Sequence, residues 1–140
     1  MKKILFFAIG IVAVGLVLSC SSSNSPESVV KKLMECYKNQ DAEGIVELVN
    51  LEEISKDEDE LEKNKAEMAS MLREKVFKSI EQKGGIKNYE IIDIEVAEAP
   101  EPGSRAIVTL KTVYNNGDEV ENKSKLRMDR DGKWKLSLEK

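Results

Sequence analysis

The hydrophobic positions along this chain fall into three regimes. An unbroken apolar run extends from Ile4 to Leu18 behind the charged Lys2 and Lys3, and Ser21-Ser22-Ser23-Asn24-Ser25 then contains nothing apolar. Beyond Pro26 the apolar positions recur at helical spacing as far as Gly84-Gly85, and from Tyr89 onward at every second residue. The order predicts an α+β domain, with helices first and an antiparallel sheet second.

Ser25-Pro26-Glu27 suits a helix start: a capping hydroxyl, a proline at the first helical position and an acid near the positive end of the dipole. Val29, Val30, Leu33, Met34 and Tyr37 make the apolar stripe of this helix, and Asn39-Gln40-Asp41 breaks it. Asp41 caps a shorter helix carrying Ile45, Val46, Leu48 and Val49. The acidic run from Glu52 to Glu62 lacks the spaced oxygens, sharp-turn glycine and terminal glutamate of a calcium loop. It reads as the start of a third helix with the stripe Leu61, Met68, Met71, Leu72, Val76 and Ile80, ended by Gly84-Gly85.

Four strands come next: Tyr89 to Val96, Arg105 to Tyr114, Val120 to Asp129 and Lys133 to Leu138. A two-residue turn at Asn116-Gly117 would set Leu110 against Lys123 and lose the apolar face. A three-residue loop, Asn115-Asn116-Gly117, with Gly117 left-handed, instead pairs Thr112 with Val120, Leu110 with Asn122, Val108 with Ser124 and Ala106 with Leu126. Lys111 then meets Glu121 on the opposite face. Arg130-Asp131-Gly132 repeats the device, placing Met128 beside Trp134 and Leu126 beside Leu136. The expected inner face is Ile92, Ile94, Val96, Ala106, Val108, Leu110, Thr112, Tyr114, Val120, Leu126, Met128, Trp134, Leu136 and Leu138, with the long helix as its cover. Asn122 and Ser124 point inward beside Thr112 and Tyr114, and these four are the candidate pocket residues. They would suit a small amphipathic ligand, or would simply be satisfied by water or lie on a poorly covered strand end.

Charge, a fifteen-residue apolar stretch and a cysteine define the N-terminus as a secretory signal. As a helix the stretch would be roughly 22 Å long, too short for a hydrocarbon core of about 30 Å. Val17-Leu18-Ser19-Cys20 resembles the lipobox of bacterial lipoproteins, although Leu18 is a less usual occupant of its position. The resemblance implies cleavage after Ser19, a diacylglyceryl thioether on Cys20 and acylation, such as palmitate, of its new amino group. Two or three acyl chains hold a protein stably on a membrane where one does so marginally. The expected division is a signal at 1–19, a lipidated cysteine and tether at 20–25, and a domain at 26–140. The expected location is the cell envelope, on the outer membrane or the periplasmic face of a membrane in a two-membraned bacterium.

Loss of 19 of the 140 residues leaves 121, and with Lys2 and Lys3 gone 20 basic residues face 26 acidic ones, a balance of −6. Scattered basic residues and only seven aromatics argue against nucleic acid as a partner. With Cys20 consumed by lipid, Cys36 has no cysteine to pair with, and with no histidine in the chain it lacks the usual base of a thiol nucleophile.

Helices followed by a meander, with Tyr37-Lys38-Asn39-Gln40-Asp41-Ala42-Glu43 and the ending Asp131-Gly132-Lys133-Trp134-Lys135-Leu136, resemble small lipoproteins of the nuclear transport factor 2-like superfamily, of the lumazine-binding-like kind. The resemblance covers roughly Pro26 to Leu138 and implies a cone in which a curved sheet wraps a long helix around a pocket. Some members of that superfamily are enzymes and others bind ligands or partners without chemistry, so the fold alone does not choose. The expected function is that of a non-catalytic envelope lipoprotein binding a small ligand or an envelope protein, with no cofactor and no metal. Two alternatives stand beside it. One is a hydrolase or isomerase using Tyr114 or Tyr89 with Asp93, although Asp93 and Glu95 fall on the outer face. The other is an assembly role, homodimerisation included, through Ile91, Ile107 and Val113 on that outer face.

Overall fold

A computed structural model of the protein describes residues 24–138. The expected signal, Cys20 and tether residues Ser21 to Ser23 lie outside the described residues. Helix α1 spans Pro26–Asn39 and opens with a reciprocal cap: the Ser25 hydroxyl accepts the Ser28 N–H at 3.1 Å, and the Ser28 hydroxyl accepts the Ser25 N–H at 2.8 Å. Gln40, left-handed at φ 53°, ends it. Helix α2, Ala42–Leu48, is capped by the Asp41 carboxylate, which accepts the Gly44 N–H at 3.0 Å. After a 3₁₀ turn at Leu51–Ile54, Asp57 caps helix α3, Glu58–Met71, by accepting the Glu60 N–H at 2.8 Å. Three acids thus sit in the first turn of α3, where the helix dipole favours them.

The third helical run departs from simple periodicity. A π-helical segment, Leu72–Val76, joins α3 to helix α4, Phe77–Gln82, and the Phe77 N–H bonds the Leu72 carbonyl five residues back. The extra residue in this turn rotates α4 relative to α3. Leu72 and Phe77 both become buried, whereas Met71, expected in the apolar stripe, is exposed.

The sheet is an antiparallel meander in chain order: β1 Ile86–Val96, β2 Arg105–Tyr114, β3 Glu119–Met128 and β4 Trp134–Leu136. Both expected registers are found, Leu110 opposite Asn122 and Val108 opposite Ser124 across one hairpin, Met128 opposite Trp134 across the other. Gly117 at φ 97° and Gly132 at φ 80° occupy the left-handed positions that the loops require. Lys111 lies opposite Glu121 in register, but its ammonium bonds Glu119 at 3.1 Å.

The first strand corrects the expected inner face. Ile91 stands opposite Leu110 and Asp93 opposite Thr109, which leaves Ile92 as the unpaired residue of a bulge. Ahead of the bulge, Tyr89 and Ile91 pack against the core, although the alternation set Ile91 outside. Beyond it, Ile94 and Val96 face inward opposite Val108 and Ala106, yet they remain exposed on an edge strand outside helical cover. Ile92 and Leu138, both expected inside, are likewise exposed.

Two apolar clusters hold the domain. One joins Leu33 of α1 to Ala42, Ile45 and Val46 of α2 and to Ala69, Leu72 and Phe77 of the third run. The other packs Val29, Val30 and Met34 of α1 on Ala106, Val108, Leu110, Leu126 and Trp134 of the sheet. The sheet core is therefore covered by the first helix, and the longer third run packs on α2 and the 3₁₀ turn and meets α1 at Leu33. At the start of the described residues, Asn24 clamps the last strand. Its side chain accepts the Trp134 N–H and donates to the Trp134 carbonyl at 3.3 Å, so contacts of the fold begin two residues before Pro26.

Candidate functional site

The inner face of the sheet is not covered along its whole length. At the Tyr114 end, α1, the third helical run and the sheet enclose a cavity of about 470 Å³, and its lining includes all four candidate pocket residues. Thr112 and Tyr114 come from β2, and Asn122 and Ser124 from β3, brought side by side by the three-residue loop. A shift of one residue in that register would have turned Asn122 and Ser124 to the other face.

The remaining wall was not legible as a site in the sequence. Leu33, Met34 and Tyr37 of α1 face Leu110 of the sheet, and Ile86 closes the side at the start of β1. Lys75, Val76, Ser79 and Ile80 complete it from the π segment and α4. With Phe77 held in the helical core, Lys75 and Val76 before it and Ser79 and Ile80 after it are presented to the cavity.

Tyr114 is held at the cavity edge by an anchored turn. The Asn115 N–H donates to the Gly85 carbonyl and the Asn116 N–H to the Lys83 carbonyl, both at 2.9 Å, while Asn115 Nδ2 donates to the Gly84 carbonyl at 2.7 Å. The hairpin tip is thereby fastened to the end of the helical run. Gly84 is at φ 85°, and a Cβ there would come within 3.2 Å of the Asn115 Cβ, so the close approach needs glycine. The Lys83 ammonium lies 4.7 Å from the centre of the Tyr114 ring, within cation–π range.

The electrostatics of the cavity differ from those of the chain. The lining holds one charged side chain, Lys75, and no carboxylate. Burial pushes the Tyr37 phenol above its ordinary value and neighbouring Tyr114 adds to the shift, while burial also raises Tyr114. Both therefore stay neutral hydrogen-bonding groups at physiological pH. Thr112 is only 4% exposed. Among the described residues no side-chain hydrogen bond joins Thr112, Tyr114, Asn122 or Ser124 to a protein partner.

The acid and base pairing considered from the sequence is not assembled. Asp93 is exposed and stands opposite Thr109, on the sheet face away from the cavity, so it does not converge with Tyr114. Tyr89 packs into the sheet cluster. Cys36 is half-buried, and its thiol is raised by burial and then by the carboxylates of Asp41 and Glu35, which opposes thiolate chemistry. A second cleft of about 340 Å³, between α2 and α3, is lined by Glu43, Glu47, Glu52 and Glu62 together with Lys65 and Lys135. Among the described residues no group of histidine, cysteine, aspartate and glutamate side chains is placed to hold a metal ion.

Three helical elements set on a four-stranded antiparallel meander, with a cavity between helices and sheet, define an α+β domain of the nuclear transport factor 2-like fold. A solved protein of Campylobacter jejuni, described as a candidate NTF2-like transpeptidase, superimposes with a TM-score of 0.65 at 17% identity, over 82% of this chain and 100% of that one. A SEC-C motif containing protein of Rhodopseudomonas palustris matches 81% of this chain and 75% of its own at 20% identity, but with a TM-score of 0.41 it carries no argument about the fold. No protein-family model and no curated protein matches the chain.

Proposed function

We propose that this protein is an exported, lipid-anchored binding module of the cell envelope, and that its NTF2-like domain holds a small amphipathic ligand without transforming it. The observation that carries the binding reading is the cavity: a largely apolar wall into which Thr112, Tyr114, Asn122 and Ser124 present polar groups with no partner among the described residues. Pockets that recognise small molecules have this composition, an apolar body and a few placed hydrogen-bonding groups. Binding is favoured over acid and base catalysis because the lining has no carboxylate and Asp93 lies on the other face of the sheet. The anchor rests on the lipobox-like Val17-Leu18-Ser19-Cys20 and the preceding apolar run.

Purification of the full chain from its native envelope, followed by mass spectrometry of the intact protein and of its extract, tests both halves. The expected result is a mature chain beginning at an acylated Cys20, with a small molecule released on denaturation. An unmodified Cys20 sinks the anchor. A cavity whose Asn122 and Thr112 resonances respond to no amphipathic probe sinks the binding module.

A further inference from the structure

The ligand class of this cavity is set by its charge, and the inference rests on the binding reading above. The chain has 26 acidic residues against 22 basic ones, yet the acids are excluded from the lining. Lys75 lines the cavity, and Lys83 borders it through the Tyr114 ring. Neither ammonium has an ion-pair partner among the described residues. Deeper in, Thr112 is an almost fully buried hydroxyl without a protein hydrogen bond, and the Tyr114 phenol is kept protonated by its surroundings. The cavity lining therefore combines apolar side chains, neutral donors and one ammonium group, with a second ammonium at its border.

We infer that the cavity accepts an amphipathic anion, an aliphatic chain ending in a carboxylate, with the chain against Leu33, Val76 and Leu110 and the carboxylate held by Lys75 and the neighbouring hydroxyl and amide groups. A neutral ligand would use the same apolar wall and leave the ammonium groups unanswered. An aliphatic amine would bring a third positive charge to a site with no carboxylate to receive it. Because Lys75 is exposed, the ionic contribution is partly screened and weakens as salt rises.

Full chain reconstituted in neutral phosphatidylcholine nanodiscs, with empty discs as the reference, is titrated with octanoate, octan-1-ol and octylamine while the Asn122 and Thr112 resonances are followed. Octanoate is expected to bind about tenfold more tightly than octan-1-ol at low salt, and octylamine more weakly than either. Lys75→Gln should erase most of the preference for octanoate while leaving octan-1-ol unchanged, and Lys78→Gln, on the same helical run outside the lining, should change neither. Equal binding of octanoate and octan-1-ol, or preference for octylamine, overturns the anionic inference and leaves the binding module standing. Failure of all three probes to move these resonances overturns both.

Discussion

Thr112→Val exchanges a hydroxyl for a methyl group of nearly the same shape and keeps the β-branched side chain that suits a central strand. Thr112 is 4% exposed, lies between Tyr89 and Val120 in the sheet, and has no side-chain hydrogen bond to another described residue. A hydroxyl buried without a protein partner costs about 1–3 kcal/mol, a figure lowered by whatever solvent reaches it through the cavity. Thr112→Val should therefore raise the stability of the ligand-free protein by about 1 kcal/mol, which for a domain of this size moves the thermal midpoint up by about 4 °C. Urea unfolding followed by circular dichroism reads the change directly, with the slope m unaltered because the surface exposed on unfolding is unaltered. The same substitution should weaken octanoate binding several-fold, because the hydroxyl retained in the cavity is then gone. A loss of 1 kcal/mol or more on Thr112→Val would refute the reasoning, since it would show the hydroxyl to be a structural hydrogen-bonding group of the sheet rather than one held ready for a ligand.

Asn24→Ala removes two hydrogen bonds to the Trp134 backbone and should lower stability by about 1–2 kcal/mol in urea titration; an unchanged midpoint would detach Asn24 from the fold. At Gly44 a Cβ would come within 2.5 Å of Asp41 Oδ2 and 2.8 Å of Cys36 Sγ. Gly44→Ala should thus displace the α2 cap and cost about 1 kcal/mol net, even after the helix-propensity gain, and a more stable variant would contradict this. Tyr37 and Cys36 both have folded values raised above their ordinary 10.0 and 9.0, so folding favours their protonated forms. Stability should be constant below about pH 9 from these groups and fall as pH rises through the folded values, and Tyr37→Phe should flatten the part of the fall above pH 10 in pH-dependent unfolding.

How much was legible in the sequence depends on whether a feature belongs to one element or to several. Caps, turns and the registers of both hairpins are local, because a serine before a proline, or a glycine at the third position of a loop, acts on its nearest backbone neighbours. That was enough to bring Thr112, Tyr114, Asn122 and Ser124 to one face of the sheet. The sequence by itself therefore determined the order of helices and strands, the register of the last two hairpins and four of the thirteen residues that line the cavity.

Only the tertiary structure decided the rest. The bulge at Ile92 and the π segment at Leu72–Val76 each insert one residue into a regular period, and neither insertion is marked by a glycine or proline. They are favoured by what packing gains on either side, Ile91 against the sheet core and Phe77 among the helices, so a period read along the chain misplaces residues on one side of each, Ile91 ahead of the bulge and Met71 ahead of the π segment. Lys75 is one exposed lysine among many until the π segment and the Gly84-Gly85 contact bring it and Lys83 to the Tyr114 end of the sheet. The cavity and its sign of charge arise from residues more than thirty positions apart, and distances between such residues exist only after the chain has packed.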